Sequence, residues 1–225
     1  MEYSINFQDN ISAQDFNSRA NGTLNWIKEN RDKFDWAKDP NAYEMTNMFL
    51  FGAKYASEGK EIDIQALDEM WNIRSKDFEN CKVSENNFIY SICQDAHNAA
   101  VSGRALVNDE NSHHALRKMA GIGLYLKQQQ RDGQKVRFDN LSELQTLIAS
   151  SKTLKGLHRD LFDKYKFGDN IEVLCNLMLE NNLDDKSKQT LLASRDELLT
   201  DEKPKELQKG TFNIRLGVGP WLCRR

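Results

Sequence analysis

Apolar residues recur at helical spacing through most of this chain, and the interruptions fall at glycine or proline. Phe16, Ala20, Leu24 and Ile27 follow Ser12 and Asp15, which together resemble a capping box, so a first helix is expected there. Asp39-Pro40 is a stronger helix start, because the carboxylate caps free N–H groups and proline needs no partner in the first turn. Met45, Phe49, Gly52 and Ala56 then share one face until Gly59 stops the helix. Asp63 opens a segment carrying Ile64, Leu67, Trp71 and Phe78. Ser84 opens the next, in which Phe88, Ile89, Ile92, Cys93, Ala96 and Ala100 form a broad stripe ending at Gly103. Beyond residue 139 the stripes shorten: Leu141, Leu144 and Ile148; then Leu154, Leu157, Leu161 and Tyr165; then Ile171, Leu174, Leu177 and Met178. Asp184 or Ser187 caps a last helix through Leu191, Leu192, Leu198 and Leu199, closed from downstream by Pro204.

Only the ends show a two-residue period. Tyr3, Ile5 and Phe7 alternate with polar neighbours, and Phe212, Ile214, Leu216 and Val218 do the same where Gly217, Gly219 and Pro220 forbid a helix. The pattern predicts a mainly α chain of roughly seven to nine short helices with extended, strand-like arms at both termini. An N-terminal arm over 1–11, a helical body over 12–204 and a C-terminal arm over 205–225 follow, with 12–131 and 139–204 as two possible lobes. Each arm either pairs with the other on the same chain or adds to a neighbouring subunit.

Composition narrows the class without naming an activity. Twenty-one aromatic residues among 225, with only three Pro, argue for a packed helical fold and against disorder. A mean hydropathy of −0.71 and the lack of a long apolar run argue against a membrane partner, and the first 30 residues hold no signal-peptide core. A cytoplasmic location is therefore expected. Cys81, Cys93, Cys175 and Cys223 include no CxxC pair, so neither a metal knuckle nor a redox motif is indicated, and no cofactor is expected.

Net charge is −3, which by itself disfavours a polyanionic ligand. Its distribution changes the picture. Residues 113–137 carry six Lys/Arg against one Asp/Glu, whereas residues 1–85 carry ten against sixteen. On a helical projection with Arg117 at zero, His113 and Arg131 fall near about 320° and Lys127 near about 280°. Ala115, Leu116, Met119, Ile122 and Leu126 gather on the other side, between about 140° and 260°. One side of this helix is expected to dock while the other shows Arg117, Lys127 and Arg131 to solvent, with Ala120 and Gly121 small enough to admit a phosphate. Lys135 and Arg137 follow at the Asp132-Gly133 turn.

Other constellations have plainer explanations. Cys93 and His97 stand four residues apart near Asp95, a spacing that suits a thiolate hydrolase, yet Cys93 belongs to the apolar stripe and packs as a small hydrophobe. His113-His114 offers at most one metal ligand. Gly217-Val218-Gly219 lacks the following helix that phosphate cradling requires. Asn10-Ile11-Ser12 and Asn21-Gly22-Thr23 match the glycosylation pattern by chance in a chain without a secretion signal.

The reading that follows is a non-enzymatic, self-associating protein that binds single-stranded nucleic acid, nucleocapsid- or coat-like, through Arg117, Lys127, Arg131, Lys135 and Arg137. The alternative is a protein-binding module of inhibitor, immunity or effector type acting through a helical surface, with the acidic first third steering it to a basic target.

Overall fold

The computed structural model describes residues 11–33, 40–80 and 87–200. Both terminal arms, the Asp39 and Ser84 caps and the closing Pro204 lie outside the described residues. Within them every regular element is a helix: α1 (Ala13–Glu29), α2 (Pro40–Ser57), α3 (Ile64–Asn80), α4 (Asn87–Val101), α5 (Glu110–Arg131), α6 (Leu141–Leu157), α7 (Arg159–Lys164), α8 (Phe167–Leu179) and α9 (Asp185–Leu199). A single 3₁₀ turn, Arg31–Lys33, follows α1. No described helix is long and apolar enough to cross a membrane.

Local chemistry sets the helix ends. The Ser12 hydroxyl accepts from the Asp15 N–H at 3.0 Å, and Asp184 accepts from the Ser187 N–H at 2.9 Å. Asp63 caps α3 through the Ala66 N–H at 3.0 Å while accepting from the Asn21 amide of α1 at 2.8 Å. Gly133 takes a left-handed φ of 66°, and the Gln134 N–H then reaches back to the Gln129 carbonyl at 3.1 Å, closing α5 with a Schellman turn. The same bond pattern ends α2 at Gly59 and α4 at Gly103.

Two helices organise the packing. α2 is enclosed by α1, α3, α4 and α5, and α6 by α5, α7, α8 and α9. Every residue of α2 from Met45 to Ala53 is buried, so this helix has no water-facing side along that stretch. The expected single face of Met45, Phe49, Gly52 and Ala56 is therefore too narrow. Phe16, Phe49, Phe51 and Tyr55 make ring contacts around it, edge-on for Phe16 with Tyr55 and for Phe49 with Trp71, tilted for Phe51 with Tyr55.

The second half differs from its sequence pattern. Leu141 through Leu157 form one helix, because Ser150 and Ser151 are buried and carry the packing face across the apparent gap between Ile148 and Leu154. The break comes at His158, whose φ of −136° leaves the helix, and Leu157 stays 63% exposed instead of joining the core. Polar contacts join the two halves. Asp95 of α4 accepts from Tyr165 Oη at 2.5 Å and Lys164 Nζ at 2.6 Å, Lys118 meets Glu143 at 2.8 Å, and Asp109 meets His158 at 3.3 Å.

Candidate functional site

The expected basic face of α5 divides into a buried part and an exposed part. Arg117 is only 4% exposed and His113 only 5%, which corrects their expected place on a solvent-facing surface. The neighbouring helix supplies the reason. Phe51 of α2 meets the His113 ring edge-on at 5.1 Å between centroids and lies beneath the Arg117 guanidinium at 4.6 Å. At the other end of this contact Gly121 faces Tyr43, so closely that an added Cβ would stand 2.7 Å from the ring. α2 and α5 thus run antiparallel with the stripes Tyr43, Asn47, Phe51 and Gly121, Arg117, His113 facing each other, and this register sets fully buried Asn47 level with Arg117.

Ala120 and Gly121 are consequently small for a different reason from the one expected. Ala120 is fully buried, and Gly121 admits the Tyr43 ring rather than a phosphate. Burial pushes the Tyr43 phenol above its ordinary range, with Asn47 and Arg117 pulling the other way. A second interior cation, Arg74 of α3, is fully buried, and its charge reaches Asp77 and Cys93. Its signal in the sequence is a lone cation continuing the apolar stripe of Leu67 and Met70, and spacing alone does not distinguish it from a surface charge.

The Cys93, His97 and Asp95 grouping disperses. Cys93 is buried with its thiol 3.6 Å from Thr46 Oγ1, and burial pushes that thiol up. His97 turns to Asp68 at 2.6 Å and stacks on Trp71 at 5.5 Å between centroids, while Asp95 serves Lys164 and Tyr165. Trp71 is also engaged by Tyr90, at 5.5 Å. Among the described residues no group of three or more His, Cys, Asp or Glu is arranged to hold a metal ion.

A cleft of about 230 Å³ opens where the end of α2 meets the start of α5, lined by Lys54, Glu58, Asp109, Glu110 and His113 among others. Its charges already have partners: Lys54 with Glu110 at 2.9 Å, Glu58 with Lys60 at 3.0 Å, and Asp109 with the Ser112 N–H at 2.7 Å and with His158. Burial alone would raise the Asp109 carboxyl, but hydrogen bonds from Ser112 and His158 hold it below its ordinary range.

The exposed part of the basic segment begins at Gly133. Lys135 has a side chain 78% exposed that meets Glu180 at 2.9 Å, and Arg137 is also exposed. Half-buried Val136 and buried Phe138 alternate with them, and this two-residue period sets the two cations on the same, outward side of the run. Two amides without any charge or motif to mark them in the sequence hold this run. Gln129 Oε1 accepts from the Arg137 N–H at 2.8 Å while its Nε2 donates to Tyr125 Oη, and Asn181 Nδ2 donates to the Phe138 carbonyl at 2.9 Å. Lys127 and Arg131 lie on the last turns of α5, and their side chains fall outside the described ones. The expected set therefore splits, with Lys135 and Arg137 together in solvent and Arg117 inside. No family model, no curated protein and no solved structure matches the chain.

Proposed function

We propose that the chain is a non-enzymatic binding protein whose ligand is single-stranded nucleic acid, held through its phosphates by Lys135 and Arg137 with Lys127 and Arg131 contributing from the preceding turns. One observation carries this: two exposed cations on one side of a tethered run, in a stretch where acidic residues are nearly absent. Such a ligand is bound mainly by displacing condensed counterions, which needs several cations along a strip and no particular base. The Lys135–Glu180 pair does not oppose this, since an exposed ion pair contributes only about 0–1 kcal/mol and yields to a phosphate. Self-association through the alternating segments at 1–11 and 205–225, in a cytoplasmic coat- or nucleocapsid-like assembly, completes the reading.

The test is fluorescence anisotropy with a labelled oligothymidylate across a salt series. Binding should fall steeply with salt, and Lys135→Ala with Arg137→Ala should weaken it on every sequence alike. The salt slope should flatten by about 1.4, roughly 0.7 for each phosphate no longer neutralised. A parent chain that ignores oligonucleotides at low salt overturns the reading. It would leave the alternative, a protein-binding module acting through a helical surface.

A further inference from the structure

Given the nucleic-acid reading above, on which this step rests, we infer that Gln129 is the positioning residue of the site: its side-chain amide fixes the 134–138 run so that Lys135 and Arg137 meet successive phosphates of one extended strand. The geometry has three parts. First, Gly133 turns the chain out of α5, and the run then alternates, with Val136 and Phe138 inward and Lys135 and Arg137 outward. Residues two apart in an extended chain stand about 6.6 Å apart and point the same way, so both cations can lie along a single backbone.

Second, the run has no ladder partner among the described residues to hold it in place. Its hold comes from side chains: Gln129 on the Arg137 N–H from α5, and Asn181, just past the end of α8, on the Phe138 carbonyl. Third, Gln129 is itself held, because its Nε2 donates to Tyr125 Oη one turn earlier on the same helix. The amide is thereby oriented with its oxygen toward the loop, and a single side chain couples the rigid helix to the backbone of a cation. A run fixed before the ligand arrives loses less conformational freedom on binding. Gln129 touches no phosphate; it sets whether two cations act together or separately.

The experiment uses the full chain, the labelled oligothymidylate and four variants: Gln129→Leu, Tyr125→Phe, Lys135→Ala with Arg137→Ala, and Gln129→Leu added to that pair. Gln129→Leu should weaken binding about three- to tenfold, the size of one net hydrogen bond removed. It should also flatten the salt slope toward that of the double variant and speed hydrogen exchange at the Arg137 amide. Tyr125→Phe, which leaves the Arg137 contact and frees only the far end of the amide, should give a smaller loss in the same direction. Added to the double variant, Gln129→Leu should cost nothing further.

If the double variant is weak but Gln129→Leu and Tyr125→Phe bind like the parent, the positioning role is overturned and the nucleic-acid reading stands. A Gln129→Leu loss that persists in the double-variant background marks a general structural effect and also overturns it. If the double variant binds like the parent, the site itself falls. Should Gln129→Leu fail to fold, Tyr125→Phe and the exchange rate of the Arg137 amide decide the matter.

Discussion

Arg117 and Arg137 belong to one basic segment of the sequence and have opposite fates. Arg117 lies against Phe51 and level with Asn47, sealed between two helices, whereas Arg137 stands in solvent on a run held through its backbone. The difference lies in the facing surface and not in the residue. α2 presents Tyr43, Asn47 and Phe51, a stripe with polar atoms and an aromatic face, and such a stripe can take in a guanidinium that an all-apolar one would reject. Among the described residues no comparable stripe covers Lys135 and Arg137, which stay exposed. A cation therefore marks a binding surface only after the neighbouring element is known.

This contrast can be broken at three points. The largest effect is expected at Arg117→Ala, which empties a buried site between α2 and α5 and removes the contact with Phe51, and should cost about 2–5 kcal/mol in urea unfolding. Arg117→Met, which refills the volume, should cost much less, and Arg137→Ala should stay within about 0.5 kcal/mol of the parent. Equal effects at the two arginines would end the comparison.

Gly121→Ala comes next, since its Cβ would press on the Tyr43 ring at 2.7 Å. A loss of about 1–3 kcal/mol is expected, with Tyr43→Leu in the same chain restoring most of it. Failure of that rescue would show that α2 and α5 do not meet in this register.

The smallest effect concerns Asp63, a half-buried charge between those extremes. The Asn21 amide, and then the Ala66 N–H, hold its carboxyl below the ordinary range against the upward pull of burial. A carboxyl lowered in the fold adds stability above its unfolded value near about 3.9 and loses it as pH falls through the lower folded value. Asp63→Ala should thus cost about 1 kcal/mol at pH 7, and the gap between the two urea midpoints should close in stronger acid. A gap that stays constant would show that the ionised carboxylate contributes nothing.

What was legible in the sequence was local. Ser12 and Asp184 as caps, and Gly59, Gly103 and Gly133 as stops, depend on hydrogen bonds between residues a few positions apart, which spacing reveals directly. The core-facing side of α5 was also readable, since Ala115, Leu116, Met119 and Ile122 are all buried. Its opposite side was not, because the burial of Arg117 depends on a stripe about seventy residues earlier. α6 shows the same limit at shorter range: Ser150 and Ser151 read as polar yet pack inward, while Leu157 reads as core yet stays wet. Of the site, Lys135 and Arg137 were visible as charges. Gln129 and Asn181 were not, because an amide announces nothing until the carbonyl or N–H it meets is in place.

The enclosure of α2 bears on how the molecule comes together. Met48-Phe49-Leu50-Phe51 is a run of four bulky apolar side chains pointing in every direction around one axis, so no single neighbour can shelter it. A half-assembled chain would present that run to other chains as readily as to its own. All four of α1, α3, α4 and α5 must be in place before the run is fully covered, and the same enclosure that anchors the finished molecule makes its nascent form the one most exposed to self-adhesion.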